Sequence, residues 1–459
     1  MEEQSITDGE KDYVNQILRA KGDSFTMMEW VTKTRRNKVQ KRLLVVGKYR
    51  VYSIKRKFDG KKSVQREGHI LELANLQFTE NTDELCLNWR DFNIEIVSPK
   101  AIEIANVLLQ NFYGIACDFP EGKRVQLVYP ESQRERVTSS LPQAPPPSSP
   151  GTAHGFVETY QAYCNLLGVE ASISFNSFIN DLTREQQTKL DLSLCPGVDT
   201  RSTTVIDLRP VGGALKHNKF FDALVLKGIP RKEAAQELSE CFVGNEKIKL
   251  LRLCGILASA KGVTALGEAL GSNPNPALSY LDLSHNLFGD NGAIGLGGGL
   301  STFKGHLVAL HLSNNELSGK GISSLLSSID SNPLIAENLE YLDLSHNNFG
   351  SQGSEQLSIF FDNLSLKIKY KRSSLSHLFL ANTKLEGGVL SAMVRKGGAI
   401  ETLKELDISY NPLPPSSLSS LSILAKESSS LKKLHLRNVK LEPDTVKLAK
   451  NLLFDIFQN

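Results

Sequence analysis

The sequence is poor in the residues that mark enzymes and secreted proteins. Its six cysteines, Cys86, Cys117, Cys164, Cys195, Cys241 and Cys254, include no CxxC pair, and no His spacing completes a zinc motif. They read as free thiols of a reducing compartment, not as a disulfide framework. Aromatic residues make up only 7% of the chain, while Leu, Ser and Asn recur. There is no N-terminal apolar h-region and no run of about eighteen apolar residues. Met1-Glu2-Glu3 is not a myristoylation start and Phe457-Gln458-Asn459 is not a prenylation box, so membrane attachment is expected to be peripheral. Neither HExxH nor GxSxG occurs. Gly295, Gly297, Gly298 and Gly299 do not complete GxGxxG, and in Leu317-Ser318-Gly319-Lys320-Gly321 a glycine stands where a P-loop needs Ser or Thr. No enzymatic activity, cofactor or metal is expected.

What is present is unevenly placed. Net charge is +3, yet Trp30 to Arg66 holds fourteen Lys/Arg against the single acid Asp59. A basic block in an otherwise acidic chain points to an acidic partner surface. Around it, Lys41–Val46 and Tyr49–Ile54 flank Gly47 as a hairpin. Leu85, Leu87 and Trp89, then Phe92, Ile94 and Ile96, alternate with polar residues as half-buried strands do. Ser98-Pro99 opens a helix whose apolar stripe is Ile102, Ala105, Leu109 and Phe112. Strands closed by one amphipathic helix suggest a small antiparallel β-barrel over residues 1–130. The stretch QKRLLVVGKYRVYSIKR resembles the hairpin of pleckstrin-homology domains. Residues 131–154 hold five prolines between Pro142 and Pro150 and read as a Pro/Ser-rich linker, with an SH3 ligand as the alternative.

Internal repetition governs the rest. The unit Leu-x-x-Leu-x-Leu-x-x-Asn-x-Leu starts at Leu278, Leu307, Leu339 and Leu403, with Asn286, Asn315, Asn347 and Asn411 at the turn. Weaker copies start at Leu375 and Leu431, with Thr383 and Val439 in the Asn position. Phe221 and Ile248 begin units without it, and an earlier unit lies around Leu190 and Leu192. Each unit predicts a short strand and a return helix, and stacking alone buries the leucine face. The expectation is therefore a multidomain chain. A pleckstrin-homology-like barrel is followed by the linker and by a helical connector and cap over 155–186. An α/β leucine-rich-repeat solenoid of about nine long, helix-backed repeats then fills 187–459.

Two candidate surfaces follow. Lys41, Arg42, Lys48, Arg50, Lys55, Arg56, Lys57, Lys61 and Lys62 lie on or between the first strands and are read as a site for acidic phospholipid. The residues between the repeat leucines face the concave side and are read as a protein-binding surface. They include Tyr280, Asp282, His311, Tyr341, Asp343, His377, Phe379, Glu405, Asp407, Lys433, His435 and Arg437. Asp282, His311 and Asp343 are lateral neighbours, read as solvated face residues and not as metal ligands. Nucleic acid is disfavoured as partner because the basic block lacks base-stacking aromatic motifs.

The order of parts resembles CARMIL, the family of actin capping-protein regulators. The stretch HGFVETYQAYCNLLGVEASISFNSFINDLT, His154 to Thr183, is similar to that family's connecting helices through Gly155-Phe156, Tyr160, Cys164 and Leu167-Gly168. ALGSNPNPALSYLDLSHN, with Asn273-Pro274-Asn275, is similar to an early repeat. The resemblance implies a cytoplasmic, cytoskeleton-associated scaffold, peripheral at the plasma membrane. It implies capping protein, the Arp nucleation complex and myosin-I as partners, and a homodimer in a full-length form. In that family the partner motifs lie in a tail beyond the repeats. Leu448, Leu452, Leu453 and Phe457 would leave an uncapped apolar end, so a fragment is expected. Repeat-bearing activators of nuclear-transport GTPases are the rival reading.

Overall fold

The computed structural model describes residues 5–35, 38–57, 60–81, 83–145, 151–202, 204–369, 374–386, 388–395, 401–414, 417–428 and 430–439. The chain divides into two compact units, Met1–Asn180 and Asp181–Asn459.

The first unit opens with helix α1 (Asp8–Ala20), followed by β1 (Phe25–Arg35), β2 (Lys38–Gly47), β3 (Arg50–Arg56), β4 (Lys62–His69), β5 (Leu73–Phe78), β6 (Glu84–Trp89) and β7 (Asn93–Val97). Helix α2 (Ala101–Ile115), β8 (Gln126–Val128), α3 (Arg134–Ser140), α4 (Phe156–Leu167) and α5 (Ile173–Arg184) come next. The strands form one sheet in the order β4-β3-β2-β1-β7-β6-β5-β8, antiparallel except for the β5–β8 pair. The expected closed barrel is not seen. Short β8 occupies the free edge of β5, and among the described residues β4 and β8 remain the edges.

Both faces of β2 and β3 are covered. Leu44, Val46 and Val51 join Ile104, Leu108 and Phe112 of α2 in the main core, while Leu43, Val45, Tyr52 and Ile54 pack with Val14 and Leu18 of α1. This is why the run Leu43-Leu44-Val45-Val46 is apolar without alternation. Helix α1 is set by a capping box between Thr7 and Glu10. Asp23 ties the β2–β3 turn to the end of α1, accepting from the backbone N–H groups of Tyr49 and Arg50 at 3.0 Å each.

The stretch read as linker begins folded. Val137 of α3 and Leu141 are buried in the main core, because two apolar residues suffice to dock a short helix on an existing face. Helix α4 belongs to this unit as well. Its Ala162 joins the core, Thr159 Oγ1 donates to Ile115 O at 2.7 Å, and Asn165 Nδ2 donates to Lys21 O at 2.8 Å. The division between the two compact units falls between Asn180 and Asp181, within α5.

The second unit alternates strand and helix. Its strands are β9 (Lys189–Asp191), β10 (Ala223–Lys227), β11 (Leu250–Cys254), β12 (Tyr280–Asp282), β13 (Ala309–His311), β14 (Tyr341–Asp343), β15 (His377–Phe379), β16 (Glu405–Asp407) and β17 (Lys433–His435). Between them run α6 (Arg209–Leu215), α7 (Ala234–Phe242), α8 (Ala260–Ser272), α9 (Gly289–Thr302), α10 (Gly319–Ser331), α11 (Pro333–Asn338), α12 (Gly350–Lys369), α13 (Gly388–Arg395) and α14 (Ser417–Glu427). The strands make one nine-stranded parallel sheet in sequential order. Leu281, Leu310, Leu342, Leu378 and Leu406 are register partners, and none is exposed.

The turn asparagines form a ladder. Asn315 Oδ1 accepts from the N–H groups of Asn286 and Leu287 in the preceding unit, and its Nδ2 donates to Leu283 O and Leu312 O at 3.0 Å each. Asn286, Asn347 and Asn411 repeat the pattern. One amide therefore satisfies polar groups that stacking removes from water. On the helix side, α8 and α9 approach through glycines. A Cβ at Gly299 would overlap Gly267 O, and one at Gly267 would lie 2.7 Å from Gly295 O. The apolar end expected at Leu448, Leu452, Leu453 and Phe457 lies outside the described residues.

Candidate functional site

The nine basic residues of the first unit fall into two groups at opposite ends of their strands. At the β2–β3 turn, Arg50 is committed to the fold. Its Nη1 reaches Glu67 at 2.7 Å, its Nε reaches Asn165 Oδ1 at 2.8 Å, and its Nη2 reaches Asn165 O at 2.7 Å. Lys48 lies over the Tyr49 ring at 5.1 Å. At the other end several cations are engaged too. Arg42 is 9% exposed and donates to Lys41 O and Gln40, and burial pushes its pKa down. Arg56 faces the buried Glu10 at 3.7 Å, and Lys62 Nζ donates to Gly9 O at 2.7 Å. Lys41, Lys55, Lys57 and Lys61 are exposed. The last three cluster about the β3–β4 turn, where Lys57 N–H donates to Lys61 O. Val39, 71% exposed, stands at the second position of β2 at the same end and was not singled out from the sequence.

In the second unit the strand face carries a continuous stack of rings. Tyr280 and His311 have centroids 4.9 Å apart, His311 and Tyr341 4.5 Å, Tyr341 and His377 5.7 Å, and Tyr341 and Phe379 4.9 Å. Tyr341 and His377 are register partners, while the other three pairs are diagonal neighbours on adjacent strands, two residues out of register, within reach of aromatic side chains. Burial between the tyrosines pushes the His311 pKa down despite Asp282 and Asp343 beside it, so the ring is neutral at pH 7. Burial raises Tyr341 to about 12.

The acids of this face are held by the backbone. Asp282, Asp343 and Asp407 each accept, through Oδ1, the N–H of the serine two residues on, at 3.0, 3.0 and 2.9 Å. Asp282 is also paired with Arg252 Nε at 2.9 Å, and Arg252 donates to the Tyr280 hydroxyl at 2.9 Å. Sequence reading missed Arg252, although the spacing from Ile248 assigns it to this row. Glu405 receives His435 at 2.9 Å and Lys433 at 3.3 Å. Burial works to raise the Glu405 pKa, but these donors outweigh it and hold it below the usual range. Arg437 is exposed, and its backbone N–H donates to Ser409 Oγ at 3.0 Å. Among the described residues no group of three or more His, Cys, Asp or Glu could hold a metal ion, and no helix is long and apolar enough to cross a membrane.

A regular parallel strand stack with an asparagine turn ladder defines a leucine-rich-repeat protein, here with an antiparallel sheet domain before the repeats. The family described as Leucine Rich repeat matches residues 275–297, 306–326 and 336–358, and Leucine Rich Repeat matches 402–422. The chain is moreover CARMIL-like. It is 24% identical to Protein CARMIL of Dictyostelium discoideum over 97% of this chain and 41% of that protein. It is 24% identical to human Capping protein, Arp2/3 and myosin-I linker protein 3 over 68% of this chain and 23% of that protein. It is also 23% identical to Rho GTPase-activating protein gacW of Dictyostelium discoideum, over 97% of this chain and 38% of that protein. The chain thus spans about two fifths of the two Dictyostelium relatives that it matches throughout.

Proposed function

We propose that this chain is the targeting and docking portion of a scaffold that regulates actin filament assembly. In this reading the first unit is a pleckstrin-homology-like domain that seats on acidic phospholipid, and the strand face of the repeats is the concave surface that docks a protein. The observation that carries the proposal is the match to Protein CARMIL along 97% of the chain. The seven strands in the order β4-β3-β2-β1-β7-β6-β5, followed by α2, support the pleckstrin-like reading. Lys55, Lys57 and Lys61 at one turn, with exposed Val39 at the same end, support a membrane-facing tip. A cation near an anionic leaflet contributes about 1 kcal/mol, screened by salt.

Co-sedimentation with phosphatidylserine vesicles tests this. Reversing Lys55, Lys57 and Lys61 to Glu should abolish binding, and unchanged binding would remove the lipid part of the proposal. Arg56 is left intact because Glu10 depends on it. Pull-down from cell extract with the full chain should recover actin-nucleation components through the repeat face; recovery of a Ran-like GTPase instead would overturn the actin reading.

The match to gacW favours a second reading, in which this portion serves a GTPase-activating protein. Two relatives with different names share the same portion, which supports a docking role common to both and no catalysis within it. Rho GTP hydrolysis should be unaffected by this chain; acceleration would favour the second reading.

A further inference from the structure

The middle row of the repeat strand face alternates acids and rings. Asp282, His311, Asp343, Phe379 and Asp407 are successive register partners on β12 to β16. Parallel strands lie about 4.8 Å apart, so each ring sits between two carboxylates roughly 10 Å from one another. At the start of this row Asp282 is already answered from within the chain, because Arg252, its register partner on β11, pairs with it and lies over the Tyr280 ring at 5.5 Å. The seat Asp343–Phe379–Asp407 has no ion pair to either acid among the described residues. The outward positions of β12 to β16 carry no Lys or Arg, and on the neighbouring β17 Lys433 and His435, the register partner of Asp407, are turned to Glu405, while Arg437 is exposed. Each carboxylate is fixed through Oδ1 by its own serine N–H, and the Phe379 ring is fixed by stacking on Tyr341 at 4.9 Å.

We propose that this seat takes an arginine side chain from a basic segment of a protein partner, with the guanidinium over Phe379 and between Asp343 and Asp407. The chemistry is that of Arg252 with Asp282 and the Tyr280 ring at the start of the same row. A planar, weakly hydrated cation stacks on a ring while carboxylates receive its N–H groups. An ammonium lacks the flat face and fits less well. The inference rests on the reading of this face as a protein-docking surface and names the charge its partner brings.

The probe is a fluorescein-labelled dodecapeptide with two arginines in a Gly/Ser background, titrated against the full chain by fluorescence anisotropy. Glutamate and lysine versions of the same peptide serve as comparisons. The arginine peptide should bind, more weakly as salt rises; the lysine peptide should bind several-fold less well, and the glutamate peptide not at all. The double variant Asp343→Asn, Asp407→Asn keeps an oxygen for each serine N–H, so its thermal midpoint should stay unchanged while binding falls about tenfold or more. Phe379→Leu should weaken binding several-fold. Equal binding by the double Asn variant, or by the glutamate peptide, overturns the proposal, as does failure of the arginine peptide to bind. The docking reading fails separately. If a partner recovered from extract is lost on Tyr341→Ala but kept by the double Asn variant, the face docks protein without the arginine seat. If it is kept by both, the docking reading itself falls.

Discussion

The two units solve the same problem with different bookkeeping of neighbours. In the first, a side chain such as Phe112 shares one core with residues far apart in sequence, including Leu44, Leu76 and Ile94, and its ring meets Phe119 edge-on at 6.0 Å. In the second, a side chain such as Leu310 meets the same residue type in the unit before and the unit after. A unique core tolerates no substitution at its centre, whereas a repeated one spreads its demands along ladders whose rungs can be compared with one another.

The largest expected effect lies in the unique core. Phe112→Ala should cost about 3–5 kcal/mol and unfold the first unit without moving the transition of the second, measured by urea denaturation followed in both units. A coupled loss would break the comparison. On the ladder, Asn315→Ala takes the acceptor from the N–H groups of buried Asn286 and part-buried Leu287 and one of two donors from each of Leu283 O and Leu312 O, at about 2–3 kcal/mol. The same change at Thr383, whose Oγ1 donates only to Leu380 and Asn411, should cost less than half of that. Equal losses at both positions would show that the ladder is not the stabilising element.

Gly299→Ala drives a methyl group into the carbonyl of Gly267 and should cost about 1–3 kcal/mol, whereas Gly298→Ala, which meets nothing, should be neutral or stabilising. The smallest effect is on pH. His69 is 1% exposed, and burial, aided by Arg50, lowers its pKa to about 3. Below pH 6.5 the unfolded chain takes up a proton that the folded unit refuses. Stability is therefore full above pH 6.5 and falls as pH drops towards 3, by about 1 kcal/mol at pH 5.5. His69→Gln should flatten that limb in the first unit's transition; an unchanged acid slope would assign it to other groups.

The repeats were legible in the sequence because every strand is an aligned copy of its neighbour. Register at one unit fixes the outward residues of the next, so the ring stack and the row of acids follow from spacing alone. The first unit was legible only locally. The hairpin around Gly47 and helix α2 were expected where they stand. Helix α1 was not, though Thr7, Glu10, Val14 and Leu18 spell its cap and its stripe. Nor does spacing say which cations are spent within the fold. Arg50 meets Asn165 from 115 residues away, and Arg56 meets Glu10 from another element. Such pairings depend on long-range topology, and no local pattern encodes them. Inside the repeats, by contrast, the spacing that placed Thr383 at its turn also places Arg252 in the outward row, and only its pairing with Asp282 needed the structure.

The asparagine ladder also has a direction. In every rung the Oδ1 of one unit receives N–H groups of the unit before it, never of the unit after: Asn286 serves Ile256, Asn315 serves Asn286, Asn347 serves Asn315, and Asn411 serves Thr383. During synthesis, then, the turns at Ile256, Asn286, Asn315 and Thr383 have no side-chain acceptor until the asparagine of the following unit has left the ribosome. At these four turns a repeat completes the unit made before it, so the dependence runs from the later-made unit to the earlier one.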